Sequence, residues 1–406
     1  MQNMAEDIKF EVIKKIADTR FKYKDIGKIS HLDSTSPPSV FIGSKLRYPL
    51  VNVGILSPLE KDEEAWIYDD AEFWARNNLG IRDVIGLRES LLNSRFQSNV
   101  TAPRASSGKF VEMAQELAMA SRPVDVEIEL KKKIGPGFKR DKVVLPQGMA
   151  GQLKKARITG NVKIDSRLDK AVNDDIKAVE AVTTLHKGGF SEYALSKILS
   201  VGVLGLKKDR KLVPTRWSIT ATDDMIGKKL LERIRNYKWI ENYELFFGEF
   251  MGNCYLIMLF PNIFSYELFE LYLPGSSWNS SNEIKASTDM EDFYGRKDYA
   301  SNTAGGYYAA RLPILEYLEK EKRQASVLVI RIELPTYWAS LGVWVCREAT
   351  KKVLNNKSLK FADMRELLES TRKIGMIKFG YDPDKIIKKS KVLENIKNQT
   401  TLGKWV

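Results

Sequence analysis

The spacing of apolar residues divides the chain into readable elements. Val124, Val126, Ile128 and Leu130 alternate with Asp125, Glu127 and Glu129, the period of a half-buried strand. Ile8, Val12 and Ile16 lie four apart and predict an amphipathic helix over Glu6 to Arg20. Val40 to Gly43 and Leu50 to Leu56 read as strands bounded by Gly and Pro, and Pro37-Pro38 makes the chain enter the first of them extended. Helical spacing is expected over Trp66 to Asn78, Ile81 to Ser94, Lys109 to Ser121, Asp169 to Val182, Ser191 to Ser200, Tyr307 to Lys322 and Ala362 to Lys373. Gln97 to Gly108 is polar and reads as a loop. The long apolar runs of Tyr237 to Tyr272 predict buried strands, and Ser326 to Leu334 and Gly342 to Cys346 predict two more. Trp278 to Ser301 is polar and irregular. From Asp382 the chain is lysine-rich and poor in large apolar residues until its last positions. Helices and strands mix without a βαβ rhythm, so the expected class is α+β, with mixed sheets and helices, not a regular doubly wound fold.

Composition adds limits. With 406 residues, 43% of them hydrophobic, the chain can bury a substantial core, in two or three domains of usual size or in one large one. Its longest apolar stretch, Cys254 to Phe264, is broken by Pro261 and Asn262, so no membrane span and a cytoplasmic location are expected. The acids and bases around Glu6 do not resemble a signal peptide. Cys254 and Cys346 lie in separate apolar runs and are expected to be buried free thiols. With His31 and His186 as the only histidines and no Cys/His cluster, no zinc-ligand spacing exists. The net charge of +13 favours a polyanionic partner, although a generally lysine-rich composition produces the same excess.

The last eight residues run Gln399-Thr-Thr-Leu402-Gly-Lys-Trp405-Val406. As one tight helical turn they would overlay Leu402 and Trp405, with Val406 alongside, forming an apolar plug behind a glutamine amide. This pattern resembles the clamp-binding peptide of PCNA clients, with Val406 where an aromatic residue is usual. The competing reading folds Trp405 back onto the core.

Two internal segments are candidates for chemistry. If Trp217 to Thr222 is extended, Ser218, Thr220 and Thr222 share one face, and Asp223 and Asp224 stand where a helix begins. Arg216 would then meet a phosphate, Trp217 stack on a base, and Asp223, Asp224 or Ser218 act catalytically. The alternative spends Asp223 on a helix cap. The second segment is a turn with Lys131, Lys132, Lys133, Lys139 and Arg140 around Gly135-Pro136-Gly137, suited to DNA-backbone contact or to solvent. Arg331 and Glu333 share a strand face whose neighbours are apolar; they either pair in a buried network, the commoner arrangement, or line a cleft. No phosphate loop of the Walker type occurs and no cofactor is evident; a divalent metal enters only if the protein is an enzyme.

Several longer segments, in order, resemble the archaeal Nre family of DNA-repair proteins. They are Ser36-Pro-Pro-Ser-Val-Phe-Ile-Gly43 with Tyr48-Pro49 and Val53-Gly54, Pro214 to Gly227, Gly305 to Pro313, Arg323 to Ala325, and Leu341 to Glu348. The resemblance implies an N-terminal-type domain over 1–285, a C-terminal-type domain over 286–381, and a basic tail over 382–406 ending in a PCNA-binding peptide. It implies DNA repair with PCNA and DNA as partners, and supplies no catalytic mechanism. A DNA-acting nuclease, glycosylase or transferase built around Arg216 to Asp224 is the alternative. Many relatives carry an N-terminal cysteine cluster, whereas no cysteine precedes Cys254 here.

Overall fold

A computed structural model describes residues 30–45, 47–104, 108–132, 134 and 143–398. Packing divides the chain into two units at Ile226/Gly227. The expected helix over Glu6 to Arg20 lies outside the described residues.

In the first unit, β1 (His31–Ser36), β2 (Val40–Ile42) and β3 (Leu50–Ser57) are followed by α1 (Ala71–Arg76) and α2 (Ile81–Glu89). Then come β4 (Leu92–Asn99), α3 (Lys109–Met119), β5 (Val124–Leu130) and β6 (Ala150–Ile158). Helices α4 (Ser166–Asn173), α5 (Ala178–Lys187) and α6 (Glu192–Ser200) lead to α7 (Thr215–Ile234), which runs across the division. The six strands form one mixed sheet in the order β1-β5-β6-β4-β3-β2. β5 keeps its alternation, with Val124, Val126, Ile128 and Leu130 buried. Its acids meet cations of β6: Glu127 pairs with Arg157, its direct cross-strand partner, at 2.7 Å, and Glu129 with Lys154, one residue from its partner Lys155, at 2.5 Å.

Four boundaries differ from expectation here. The helix expected over Trp66 to Asn78 is broken at the extended Asp70 into a 3-10 turn, Ala65–Asp69, and α1. The helix expected to reach Ser94 stops at Glu89, and Leu92 begins β4. The apolar run across Leu87, Leu91 and Leu92 fits either structure, which periodicity alone does not separate. The helix expected over Asp169 to Val182 breaks at 174–177 into α4 and α5. Residues 97–99, expected in a loop, complete β4.

Gly54 marks a close approach inside this sheet. A Cβ there would stand 1.8 Å from Oδ1 of Asn93, a fully buried side chain that donates to Gln147 Oε1. Gly54→Ala is therefore expected to cost about 1–3 kcal/mol through overpacking, read from urea unfolding. An unchanged midpoint would show that Asn93 can move aside freely.

The second unit is a six-stranded sheet, β10-β9-β11-β8-β7-β12, with helices on both faces. Its elements run β7 (Tyr243–Phe250), β8 (Asn253–Phe260), β9 (Ser265–Tyr272), β10 (Lys285–Glu291), α8 (Ala304–Glu321), β11 (Ser326–Glu333) and α9 (Trp344–Leu354). β12 (Leu359–Phe361), α10 (Met364–Phe379), α11 (Asp384–Ile387) and α12 (Lys391–Asn398) complete it. β8 and β11 are buried along their whole length, as continuous apolar runs require. Because β11 pairs in parallel with β9 and antiparallel with β8, this sheet joins strands from both sides of residue 285.

One sheet face, with Leu256, Met258, Phe269 and Ile330, packs on Leu367, Ile386, Ile387 and Leu393. Segment 382–398 is thus part of the core and not a solvated tail. Glu267 fixes it, accepting from Ser390 Oγ at 2.6 Å and from the backbone N–H groups of Lys391 and Val392. Sequence pattern missed this because four buried apolar residues are dispersed among many lysines. Gly342 to Cys346 also differs: Gly342 takes φ +101° and α9 starts at Trp344. Its five residues are too few to separate a strand from the first turn of a buried helix. The irregular stretch Trp278 to Ser301 contains β10.

Candidate functional site

The Arg216 to Asp224 segment is helical, which corrects the extended reading. Pro214 precedes α7, and its carbonyl accepts from the N–H groups of Trp217 and Ser218. Buried Ser218, Thr222, Ile226, Leu230 and Ile234 then recur at four-residue spacing. A six-residue window showed alternating hydroxyls, whereas the longer window shows the helix. Asp223 and Asp224 consequently sit mid-helix, 2% and 6% exposed, and Asp223 does not cap a helix start. Ser218 is fully buried and donates to Thr215 O at 3.0 Å. Arg216 is half-buried and Trp217 is 52% exposed. Arg216 and Asp223 stack two turns apart, about 10 Å along the axis. Among the described residues no group of three or more His, Cys, Asp or Glu side chains is gathered as a metal site.

Of the basic turn, Lys131 and Lys132 are exposed at the end of β5, where Lys131 N–H donates to Gln152 O. Lys133, Lys139 and Arg140 lie outside the described residues, as do Gln399, Leu402, Trp405 and Val406. Cys254 and Cys346 are buried free thiols, as expected. Burial raises both, Cys254 to about 12, so neither is a ready nucleophile. No helix among the described residues is long and apolar enough to cross a membrane.

A cleft of about 400 Å³ opens in the first unit. Pro37 and Pro38, between β1 and β2, form one wall, and Trp66 and Phe190 add aromatic surface. At its base Asp69 is paired with Arg88 Nη1 at 2.5 Å and Lys197 Nζ at 3.0 Å. Burial works against the Asp69 charge, but Lys197, Arg88 and the Ser39 hydroxyl more than offset it and lower its pKa. At the rim Asp165 caps α4 and holds Arg167 at 2.7 Å, and the guanidinium lies 5.2 Å over the Phe190 ring. The Arg167 hydrogen bond lowers Asp165 to about 2. Lining acids (Asp69, Asp70, Glu72, Asp165) outnumber lining bases (Arg167, Lys197), and both bases are held by carboxylates. Such a cleft suits a planar, hydrogen-bonding ligand better than a bare phosphate. Sequence reading missed it because Asp69, Arg88 and Lys197 come from three distant segments. Its one local signal was the Pro37-Pro38 pair.

In the second unit, Arg331 and Glu333 do pair, and the network is larger than expected. Arg331 donates to Glu270 Oε1 at 2.6 Å, Glu333 Oε2 at 3.0 Å and Asn253 Oδ1 at 2.6 Å. Register places Tyr255 and Glu270 on either side of it. Gly306 of α8 leaves room for the network, since a Cβ there would stand 2.4 Å from Glu270 Oε1. All four paired side chains are buried, so this cluster organises the sheet and offers no open site.

Two α+β units, one with an aromatic and charged cleft and one with a buried ionic centre, define the structural class. The chain belongs to the archaeal Nre family: the profiles described as Archaeal Nre, N-terminal and Archaeal Nre, C-terminal match residues 4–279 and 291–405. It is 40% identical over 345 residues to DNA repair protein NreA of Archaeoglobus fulgidus, covering 85% of each chain. It is 36% identical over 355 residues to DNA repair protein NreA of Haloferax volcanii, covering 86% of this chain and 84% of that protein. DNA repair protein NreB of Archaeoglobus fulgidus is 34% identical over 336 residues, covering 82% and 83%. No solved structure matches.

Proposed function

We propose that this protein is a DNA-repair factor brought to its substrate by the sliding clamp PCNA, through Gln399, Leu402, Trp405 and Val406. Its similarity to proteins named for DNA repair supports the first part. The spacing of the terminal glutamine and apolar residues carries the second, as a short turn plugging a pocket on the partner. The described fold extends to Asn398, one residue before Gln399, and Glu267 anchors the first turn of α12, the helix that ends there. The peptide thus follows directly on a docked helix. DNA is met by the basic turn (Lys131, Lys132, Lys133, Lys139, Arg140) and by Arg216 and Trp217, in the cytoplasm.

Calorimetry with PCNA of the same organism tests the docking. A chain ending at Asn398 is expected to lose binding, and Trp405→Ala to cost at least about 2 kcal/mol as an interface anchor. Equal binding by the full and shortened chains would remove the peptide from the mechanism.

A second reading, an enzyme acting on DNA, has a different observation in its favour. The cleft beside Asp69 and Lys197 joins aromatic walls to anchored charges, as a base pocket does. Turnover of a lesion-bearing oligonucleotide with Mg²⁺, lost in Arg167→Gln, would establish it. Equal turnover in that variant, or none by the wild type, would reject it.

A further inference from the structure

We infer that the second unit carries a stacking platform for single-stranded DNA, formed by Tyr294, Tyr299 and the cations beside them. This deepens the DNA-repair reading and rests on it for the nature of the ligand.

The loop after β10 reads Asp292-Phe-Tyr-Gly-Arg-Lys-Asp-Tyr299: three aromatic rings, the cations Arg296 and Lys297, and the exposed acids Asp292, which closes a turn, and Asp298. Phe293 is half-buried, but the two tyrosines stay outside: Tyr294 is 87% exposed and Tyr299 58%. Exposed rings grouped in one loop, rather than scattered singly over a surface, are a feature of interaction sites. The loop is nevertheless built rigidly. Asp292 closes its first turn, accepting from Tyr294 N–H at 2.8 Å through the carboxylate and from Gly295 N–H at 3.0 Å through the carbonyl. Gly295 supplies the φ of +86° that the turn needs. Arg296 ties the middle down, donating to Met290 O and pairing with Asp289. At the far end Ala300 N–H donates to Tyr308 Oη, and Tyr299 stands edge-on to the Tyr308 ring at 5.6 Å. A framework of this kind presents its rings at little entropic cost on binding.

A second segment of the same composition meets this loop. Arg235-Asn-Tyr-Lys-Trp239 follows α7, and the Arg235 guanidinium lies 5.5 Å over the Phe293 ring. Among the described residues Arg235 Nε makes no hydrogen bond. Lys297 and Lys238 are exposed, and Trp239 is 54% exposed. Rings that can stack on any base, alternating with cations that can track a backbone, are the chemistry of single-strand recognition. Duplex DNA buries its base faces and offers such rings nothing to stack on.

The test uses the full chain, a fluorescein-labelled oligothymidylate of about 15 nucleotides, the matching duplex, and anisotropy as readout. Tyr294→Ala/Tyr299→Ala is expected to weaken single-strand binding about tenfold or more, Tyr294→Ala alone less, and the paired Tyr→Phe changes hardly at all. Lys297→Gln is expected to flatten the salt dependence of log K by about 0.7. Binding by the double alanine variant within about twofold of wild type would overturn the platform, as would a preference of the wild type for duplex. Clamp binding measured on the same preparations separates the failures. Intact clamp and DNA binding with no effect of the tyrosines sinks the platform alone, whereas a wild type that binds no DNA sinks the DNA reading as well.

Discussion

Replacing Arg331 by methionine is expected to remove about 3–5 kcal/mol from the stability of the second unit. The guanidinium bridges Glu270, Glu333 and Asn253 in the middle of a sheet, and both carboxylates are almost fully buried. Without it two negative charges remain with neither water nor a cation. The cost is comparable to much of a domain's net stability. The loss depends on pH in a defined direction. Burial holds Glu333 above its ordinary value of 4.5 even with Arg331 beside it, and removing Arg331 raises it further. A carboxyl raised in the folded state contributes stability below its unfolded pKa and loses it as pH rises through the folded one. The deficit of Arg331→Met is therefore expected to be smallest near pH 4.5 and largest at neutrality, measured by urea unfolding at both. Adding Glu270→Leu and Glu333→Leu should recover part of the loss, because an apolar replacement of a whole buried ionic group is tolerated better than half of one. A deficit independent of pH would mean that the carboxylates find other partners.

Asp69→Asn is expected to cost the first unit a similar amount, about 3–5 kcal/mol at neutral pH. Arg88 is 3% exposed, and burial already lowers its pKa despite Asp69. An asparagine leaves its charge uncompensated, although Pro146 O and Tyr68 O continue to accept from it. Here the sign is opposite to that of Glu333. Asp69 is lowered in the folded state, so its contribution is present above its unfolded value of 3.8 and is lost as pH falls through the folded one. Wild type and variant should differ by a constant amount from pH 5 to 8 and converge only in stronger acid. Lys197→Met should cost less, since that side chain is 22% exposed and partly screened by water. Convergence already at pH 6 would contradict the direction of the shift.

Both clusters stand on residues that the sequence could only half reveal. Arg331 and Glu333 are two apart on a strand, so period two put them on one face, where pairing was one of two arrangements open to them. Glu270 joined them only because β9 lies parallel to β11, a register no local pattern specifies. In the first unit, Asp69, Arg88 and Lys197 had no signal, since each is an ordinary charged residue in its own segment. The loop at Phe293 to Tyr299 had one, aromatic and basic residues interleaved, but surrounding polarity made it read as irregular chain.

Elsewhere the limits were those of window length. Ser218, Thr220 and Thr222 alternate over six residues, and only the continuation through Ile226, Leu230 and Ile234 reveals α7. Lys391 to Asn398 looked like solvated chain because its polar positions dominate the composition. Two apolar residues and a carboxylate from β9 were enough to dock it.

Local pattern alone was enough for the α+β class, the alternation of β5, the buried strands β8 and β11, the free buried thiols and the membership of a family. These are properties of local period and residue type, which survive in any short stretch of chain. Long-range packing sets where the division between units falls, which charges meet in the interior, where a cleft opens and which aromatic rings stay in water. Those depend on segments far apart in sequence being brought within a few ångströms, and no single segment records its distant neighbour.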